Sequence, residues 1–204
     1  MIDNVIKLQV RFDPEPNHSS HVAVLSLQLF DELAGLHNMG FAERLLLHSS
    51  ALLHDIGYSV DGNRKHHKNS MKLIMKWGIP GFSDRDTTLI ANIARYHRKS
   101  LPNPNHTSWA TLNEEEQNIV VKLASLLRIC DGLDRTHRSL IHHIGCKIGP
   151  DRVTITLYHV NDIGFELYAA EKKSDLFRKT YKTDVLFYPV LYPKTNNFST
   201  ISDV

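Results

Sequence analysis

Histidine is unusually frequent in this chain, with 13 copies among 204 residues. Imidazole is the commonest metal ligand in proteins and the side chain that titrates nearest neutral pH. The dipeptide His54-Asp55 directly follows the apolar pair Leu52-Leu53. In this composition a His-Asp dipeptide is near the frequency expected by chance. It indicates a site only if other residues join it.

Two further ionisable residues stand at apolar helical faces. His21 lies beside Val22 on one predicted helix, and Asp131 is in line with Leu127 on another. A carboxylate buried without a partner costs several kcal/mol. A single cation would satisfy His21, His54, Asp55 and Asp131 together. Two imidazoles and two carboxylates suit a first-row divalent ion better than calcium.

Two more histidines extend this prediction. His67 and His97 lie on successive predicted helices, and His97 falls on an apolar face. They would allow a second ion, with Asp55 as the bridge, and two such ions can activate a water and neutralise a phosphoryl group. We therefore predict one or two divalent ions (Mn, Fe, Ni, Co, Zn or Mg), with Asp55 and His54 as the catalytic pair.

A set of cations accompanies these positions and indicates a phosphate ester or anhydride as substrate, because guanidinium groups bind phosphate oxygens in bidentate fashion. The set comprises Lys68, Arg95, Arg98, Lys99, Arg128 and Arg135. Simpler interpretations exist for each group. Asp131 can pair with Arg128 or Arg135 at helical spacing, the cations can form a solvated face, and single histidines are often structural.

The apolar periodicity predicts a helical bundle followed by a small α+β appendage. Helices are expected over about 18–36, with Ser19-Ser20 as the N-cap, and over 41–56, 67–77, 84–97 and 113–133. A strand over 153–158 with a hairpin partner over 164–169, a helix over 171–182 and a strand over 185–190 follow. We divide the chain into a helical domain (1–144), the appendage (145–190) and a loosely ordered tail (191–204).

Composition excludes several classes of protein. Hydrophobic residues make up 42% and charged residues 23%, as in ordinary globular chains, and a net charge of +2 is too small to indicate a nucleic-acid or membrane partner. We find no signal-peptide run and no membrane-length apolar stretch. Cys130 and Cys146 have no disulfide-rich context, which favours a cytoplasmic location.

Taken together, five segments closely resemble the HD superfamily of metal-dependent phosphohydrolases. They are His21, Leu52-Leu53-His54-Asp55-Ile56-Gly57, His67-Lys68-Asn69-Ser70, Ala94-Arg95-Tyr96-His97-Arg98-Lys99 and Leu127-Arg128-Ile129-Cys130-Asp131-Gly132-Leu133-Asp134-Arg135. Within it they look most like the C-terminal helical domain of the exopolyphosphatase/guanosine pentaphosphate phosphohydrolase (Ppx/GppA) family. The resemblance spans about residues 12–190 and implies a mainly α, HD-type bundle with a small C-terminal α+β appendage.

The resemblance also implies roles for individual residues. His21, His54, Asp55 and Asp131 would hold the first metal, and His67 and His97 the second. Asn69 departs from the pattern, since relatives commonly have a second histidine there. The two actin-like domains that hold the family's polyphosphatase site lie outside the resemblance, so polyphosphate hydrolysis is not carried over.

Three hypotheses follow from these residues. The first is a phosphohydrolase acting on a phosphorylated small molecule or nucleotide through a metal-activated water. The second is a non-catalytic module that keeps the metal site and binds a nucleotide or polyphosphate to regulate a partner. The third, a purely structural bundle, leaves the buried acids unexplained. A homodimer is compatible with all three.

Overall fold

The protein is a helical bundle that ends in a small three-stranded sheet, as described by a computed structural model covering residues 1–192, apart from the side chain of Asn63. The helices are α1 (Ile2–Phe12), α2 (Pro16–Glu32), α3 (Ala34–His37), α4 (Phe41–Leu53), α5 (Tyr58–Asp61), α6 (His66–Trp77), α7 (Asp84–Arg95), α8 (Thr107–Ala110), α9 (Glu114–Leu133), α10 (Gly164–Lys173) and α11 (Asp175–Tyr181). The strands are β1 (Ile141–Ile148), β2 (Arg152–His159) and β3 (Asp184–Leu191). The predicted fold class, mainly α with a small α+β appendage, is confirmed. The predicted tail beyond residue 192 lies outside the described residues.

The core of the bundle surrounds α9, which packs against α2, α4, α7, α10 and α11. Every residue of α9 from Leu123 to Leu133 is buried. A helix that is buried on all sides occupies the centre of a bundle. Leu25, Leu53 and Ile93 from the surrounding helices are completely buried as well. This apolar frame fixes the directions in which the polar side chains at its edge point. None of the helices within residues 1–192 is long and apolar enough to cross a membrane.

The start of α2 differs from the prediction. The helix begins at Pro16 and not near Ser19-Ser20, because proline at the first helical position has its φ angle already set and lacks the N–H that would go unpaired there. His18 therefore lies inside the first turn of α2. The periodicity placed His18 at the boundary of the helix, whereas the earlier helix start buries it within the bundle.

The appendage was predicted only in part. β2 and β3 lie where expected, but residues 164–169 form the first half of α10 and not a hairpin strand. The hairpin partner of β2 is β1, which precedes β2 in the chain and pairs with it in the antiparallel direction. β3 lies parallel to β2 on the other side, which requires a crossover connection, and α10 and α11 supply it. The predicted boundary between residues 144 and 145 falls within β1.

Two glycines allow helices to approach the site closely. A Cβ on Gly57 would lie 2.1 Å from the His66 carbonyl oxygen, and a Cβ on Gly132 would lie 2.7 Å from the Ala170 Cα. The first contact sets α6 against the end of α4, and the second sets α10 against α9. Both are backbone contacts that a larger residue would disrupt.

Candidate metal centre

Four imidazoles and two carboxylates meet where α2, α4, α6, α7 and α9 approach one another. We call them the His-Asp cluster: His18, His54, Asp55, His66, His97 and Asp131. Asp55 lies between two pairs of histidines. Its Oδ2 is 3.8 Å from His18 Nε2 and 3.5 Å from His54 Nε2. Its Oδ1 is 3.2 Å from His66 Nε2 and 3.6 Å from His97 Nε2.

Asp131 closes the cluster from α9. Its Oδ1 is 3.6 Å from His18 Nε2 and 3.9 Å from His54 Nε2. Its Oδ2 is 4.0 Å from His97 Nε2 and also accepts a hydrogen bond from the ammonium group of Lys173. Two sets of donor atoms within this cluster lie within 4.8 Å of one another: His18, His54 and Asp131, and His54, Asp55 and His97.

Two of the imidazoles, those of His54 and His97, are held with Nε2 toward the cluster by contacts at Nδ1. His54 Nδ1 lies 2.7 Å from the Ala51 carbonyl oxygen, and His97 Nδ1 lies 2.7 Å from that of Ala94. A carbonyl oxygen only accepts, so each Nδ1 donates, and a neutral ring then carries its lone pair on Nε2. A hydrogen bond of this kind orients histidines that ligate metals in proteins.

The donor set fits a divalent cation. His18 Nε2, His54 Nε2 and Asp55 Oδ1 are buried and have no hydrogen-bond partner in the part of the chain that the structure describes. Leaving such atoms unpaired is costly, and an ion between them would satisfy all three. Mixed imidazole and carboxylate ligands suit first-row transition metals.

The two carboxylates differ in their electrostatic surroundings. Burial raises the pKa of Asp55, and the neighbouring Asp131 raises it further against the opposing effect of His54. Burial also opposes ionisation of Asp131, but Lys173 and the hydrogen bond to His18 hold its pKa well below the usual range. Asp131 thus has cationic partners within the protein, whereas Asp55 relies on imidazoles. Asp55 is the carboxylate that most needs a further cation.

A cleft of about 430 Å³ opens onto the cluster. Asp55, His66, His97 and Asp131 form its base, and Tyr58 lies beside His66 with ring centroids 3.9 Å apart. One helix of the appendage, α10, borders the other side. The remaining lining residues are Arg98, Arg135, His137, Phe165, Tyr168, Ala169, Lys172 and Lys173.

Comparison with known proteins identifies the family of the chain. Residues 2–165 match the family model described as Ppx/GppA phosphatase, domain III. The chain belongs to this family. It is also similar to the guanosine-5'-triphosphate,3'-diphosphate pyrophosphatase of Vibrio vulnificus (strain YJ016), with 27% identity over 154 residues. That match covers 74% of this chain and 29% of the relative, so the chain spans less than a third of the relative's length. The predicted resemblance to the Ppx/GppA family is confirmed.

His21 does not join the cluster in this domain III chain. It lies one turn after His18 on α2, and its surroundings are Asp134, His142 and the backbone of Ile141. His18 lies in the cluster instead. Because the two residues are three apart and share a face, periodicity alone could not separate them. The early start of α2 at Pro16 was the available signal.

His67 also lies outside the cluster, and the adjacent His66 lies in it. Adjacent helical residues point about 100° apart, and the contact of Gly57 with the His66 carbonyl rotates α6 so that His66 faces inward. His67 is buried beside cations, and burial followed by Arg98 lowers its pKa to about 4. Its ring centroid is 6.4 Å from that of His97.

The predicted phosphate-binding cations divide into two groups. Arg98 and Arg135 line the cleft. The other four lie elsewhere: Lys68 and Lys99 are exposed, Arg95 lies over the Tyr96 ring, and Arg128 is buried. Arg128 donates to Asp175 and to the Tyr96 carbonyl, so it fastens α11 to the bundle and does not face the cleft. Lys172 and Lys173 line the cleft in their place. They fall within the helix expected over 171–182 but were not selected, because the contact of that helix with the cleft is set by tertiary packing.

Asp134, Glu15 and His137 support His18 and were not predicted. Asp134 Oδ2 lies 2.8 Å from His18 Nδ1, and the His137 ring stacks on the His18 ring at 3.8 Å. Glu15 contacts His137 Nδ1 from the other side. Burial would lower the pKa of His18, but hydrogen bonds to Asp131 and Asp134 raise it to about 10.

Proposed function

We propose that this chain is a metal-dependent phosphohydrolase of the HD type, acting on a nucleotide or another phosphorylated small molecule. The observation that carries the proposal is the convergence of four imidazoles and two carboxylates, three of whose buried atoms have no hydrogen-bond partner among the described residues. His18, His54, Asp55 and Asp131 would hold one divalent ion. Asp55, His66 and His97 would hold a second. His18 and His66 replace the ligands His21 and His67 expected from the sequence.

The chemistry divides between the ions and the protein. When bound, divalent ions lower the pKa of water and neutralise phosphoryl oxygens. Asp55 would accept a hydrogen bond from the attacking water and orient it. His54 and Asp131 would keep Asp55 and the ions in place. The bundle buries all six residues of the cluster, and the cleft opens onto them.

The cations of the cleft would hold the substrate. Arg98, Arg135, Lys172 and Lys173 all line it, and together they provide four positive charges beside the cluster. Guanidinium groups of this kind bind phosphate oxygens in pairs. The family description, phosphatase, and the relative's name, a pyrophosphatase, support hydrolysis of a phosphate anhydride or ester.

A second candidate function has its own supporting contact. The Lys173 ammonium already neutralises Asp131 within the cluster. A site with an internal cation can bind phosphate without turning it over. This contact favours a regulatory module that recognises a nucleotide or polyphosphate.

Metal analysis combined with turnover separates these functions. His54→Ala and Asp131→Asn are expected to lose bound metal and hydrolysis of a panel of phosphate monoesters, diesters and nucleotides. His21→Ala and His67→Ala are the matched controls, because they remove histidines from the same region but outside the cluster, and they should keep both. Turnover that survives in both cluster variants would contradict the catalytic proposal. Metal bound by the wild type without any turnover would support the regulatory module.

A further inference from the structure

Two aromatic side chains stand exposed at the mouth of the cleft. Phe165 is 73% exposed and Tyr168 is 67% exposed, and both lie on α10, three residues apart. Residues at this spacing share one face of a helix. Both rings border the cavity that ends at the cluster. We call Phe165, Tyr168, Lys172 and Lys173 the α10 face.

The rings are not needed to hold α10 in place. The opposite side of this helix carries Glu166, which is buried and accepts hydrogen bonds from the backbone N–H and the hydroxyl of Thr136. Ala170 packs directly on Gly132 of α9. These contacts anchor the helix, so most of the surface of the two rings remains exposed on a fixed support.

Four cations line the cleft together with the rings, whereas Glu15 borders Phe165 in a separate shallow pocket. The Lys172 ammonium lies 5.5 Å from the centroid of the Tyr168 ring. Arg98 and Arg135 border the same cleft, and its acidic residues, Asp55 and Asp131, both belong to the cluster. A ligand that matches this surface has a flat π system at one end and several negative charges at the other. A nucleoside phosphate has both.

We infer that Phe165 and Tyr168 form a base-stacking subsite, which makes the cleft select nucleoside phosphates over phosphate compounds that lack a base. The inference rests on the proposed function for the position of the phosphoryl group at the cluster, and it adds the class of substrate. Stacking tolerates all bases, because each has a π face. Removal of one ring should therefore weaken nucleotide binding about tenfold.

The test compares ligands with and without a base. Guanosine triphosphate and inorganic triphosphate carry the same phosphate chain, and 2-aminopurine riboside triphosphate reports stacking through quenching of its fluorescence. With the full chain and Mn²⁺, Phe165→Ala and Tyr168→Ala should each raise the Kd of both nucleotides about tenfold and relieve the quenching. The Kd of inorganic triphosphate should stay within about twofold of the wild-type value, since the phosphate contacts remain.

Two further variants complete the design. Phe41→Ala removes an equally exposed ring, 79% exposed, from the start of α4 and should leave all three Kd values unchanged. Phe165→Trp should keep nucleotide affinity. The inference would be overturned if the wild type bound guanosine triphosphate and inorganic triphosphate with equal affinity. Unchanged nucleotide affinity in the Phe165→Ala/Tyr168→Ala double variant would overturn it as well. So would a change in oligomeric state of that variant without a change in nucleotide binding.

Binding is read from Kd and quenching, and hydrolysis is read from product formation, so the two proposals fail separately. Nucleotide quenching that disappears in the double variant, in a protein that hydrolyses nothing, would sustain the subsite and refute the phosphohydrolase. Hydrolysis of nucleotides and base-free phosphates with equal kcat/KM, unaffected by Phe165→Ala, would do the reverse.

Discussion

The His-Asp cluster and the α10 face border the same cleft but are built in different ways. The cluster draws one or two residues from each of several helices, and all six are buried. The α10 face comes from a single helix and exposes both of its rings. Under the two proposals, the bundle would determine the chemistry of the site and the appendage would determine which phosphate compound binds there. Substitutions in the two regions should therefore have separable effects.

The largest effect is expected at Asp55, because this residue would contact both of the proposed metal ions. Asp55→Asn keeps the shape of the side chain but removes its charge, and it should lower metal affinity and kcat/KM by about 100-fold or more. Mn²⁺ at 100 times its Kd should raise the free energy of unfolding of the wild type by about 2.7 kcal/mol and leave that of the variant nearly unchanged. Thermal unfolding with and without Mn²⁺ measures this difference. Asp61→Asn, an exposed carboxylate nearby in the chain, is the control.

A backbone contact tests whether the two regions separate. In Gly132→Ala the new Cβ meets the backbone of Ala170, so α10 must move, at a cost of about 1–3 kcal/mol of stability. Metal content should persist, while nucleotide affinity should fall. Gly35→Ala is the matched control, because its Cβ would have 3.9 Å to its nearest neighbour. Loss of metal from Gly132→Ala would show that the α10 face and the cluster are one unit.

A smaller effect is expected at Asp134, which contacts His18 from outside the cluster. Asp134→Asn weakens the contact that orients His18 and should reduce metal affinity about tenfold, since residues that orient metal ligands typically contribute 10- to 100-fold. Competition with a fluorescent chelator measures the affinity. Asp162→Asn, exposed before α10, should have no effect. An equal loss in both variants would point to general electrostatics and not to orientation of His18.

The smallest effect concerns the surface of the appendage. Hydrogen bonds from Arg178 lower the pKa of the exposed Asp184. A carboxyl whose pKa is lower in the folded state stabilises the protein above its unfolded pKa, and this contribution disappears as the pH falls through the folded pKa. Asp184→Asn should thus lower the melting temperature slightly at pH 7 and not at strongly acidic pH. High salt should reduce the difference. A difference that grows toward acidic pH would contradict this assignment.

The sequence predicted the cluster better than it predicted the α10 face. The apolar periods of α4, α7 and α9 placed His54, Asp55, His97 and Asp131 correctly on the inner side of the bundle. The choice between His18 and His21 depended on where α2 begins, and the choice between His66 and His67 depended on the rotation of α6. The first is set locally by Pro16 and the second by a tertiary contact at Gly57, and a hydrophobic period encodes neither.

The α10 face was missed for a different reason. Phe165 and Leu167 alternate with Glu166 and Tyr168, which is the period of a strand. The structure instead buries Glu166 against Thr136 and exposes Phe165. A buried glutamate with a specific partner overrides the local pattern, and the partner is known only once the fold is known. Tertiary contacts therefore decided the element that borders the cleft.

The ion pair between Lys173 and Asp131 bears on whether the chain could fold before a metal ion binds. Small domains built around a structural metal are commonly unfolded until the metal binds. Here a side chain of the same chain already supplies positive charge to one of the two buried acids. Folding would then not require the proposed ion, and a newly made chain would reach its final shape before any metal binds.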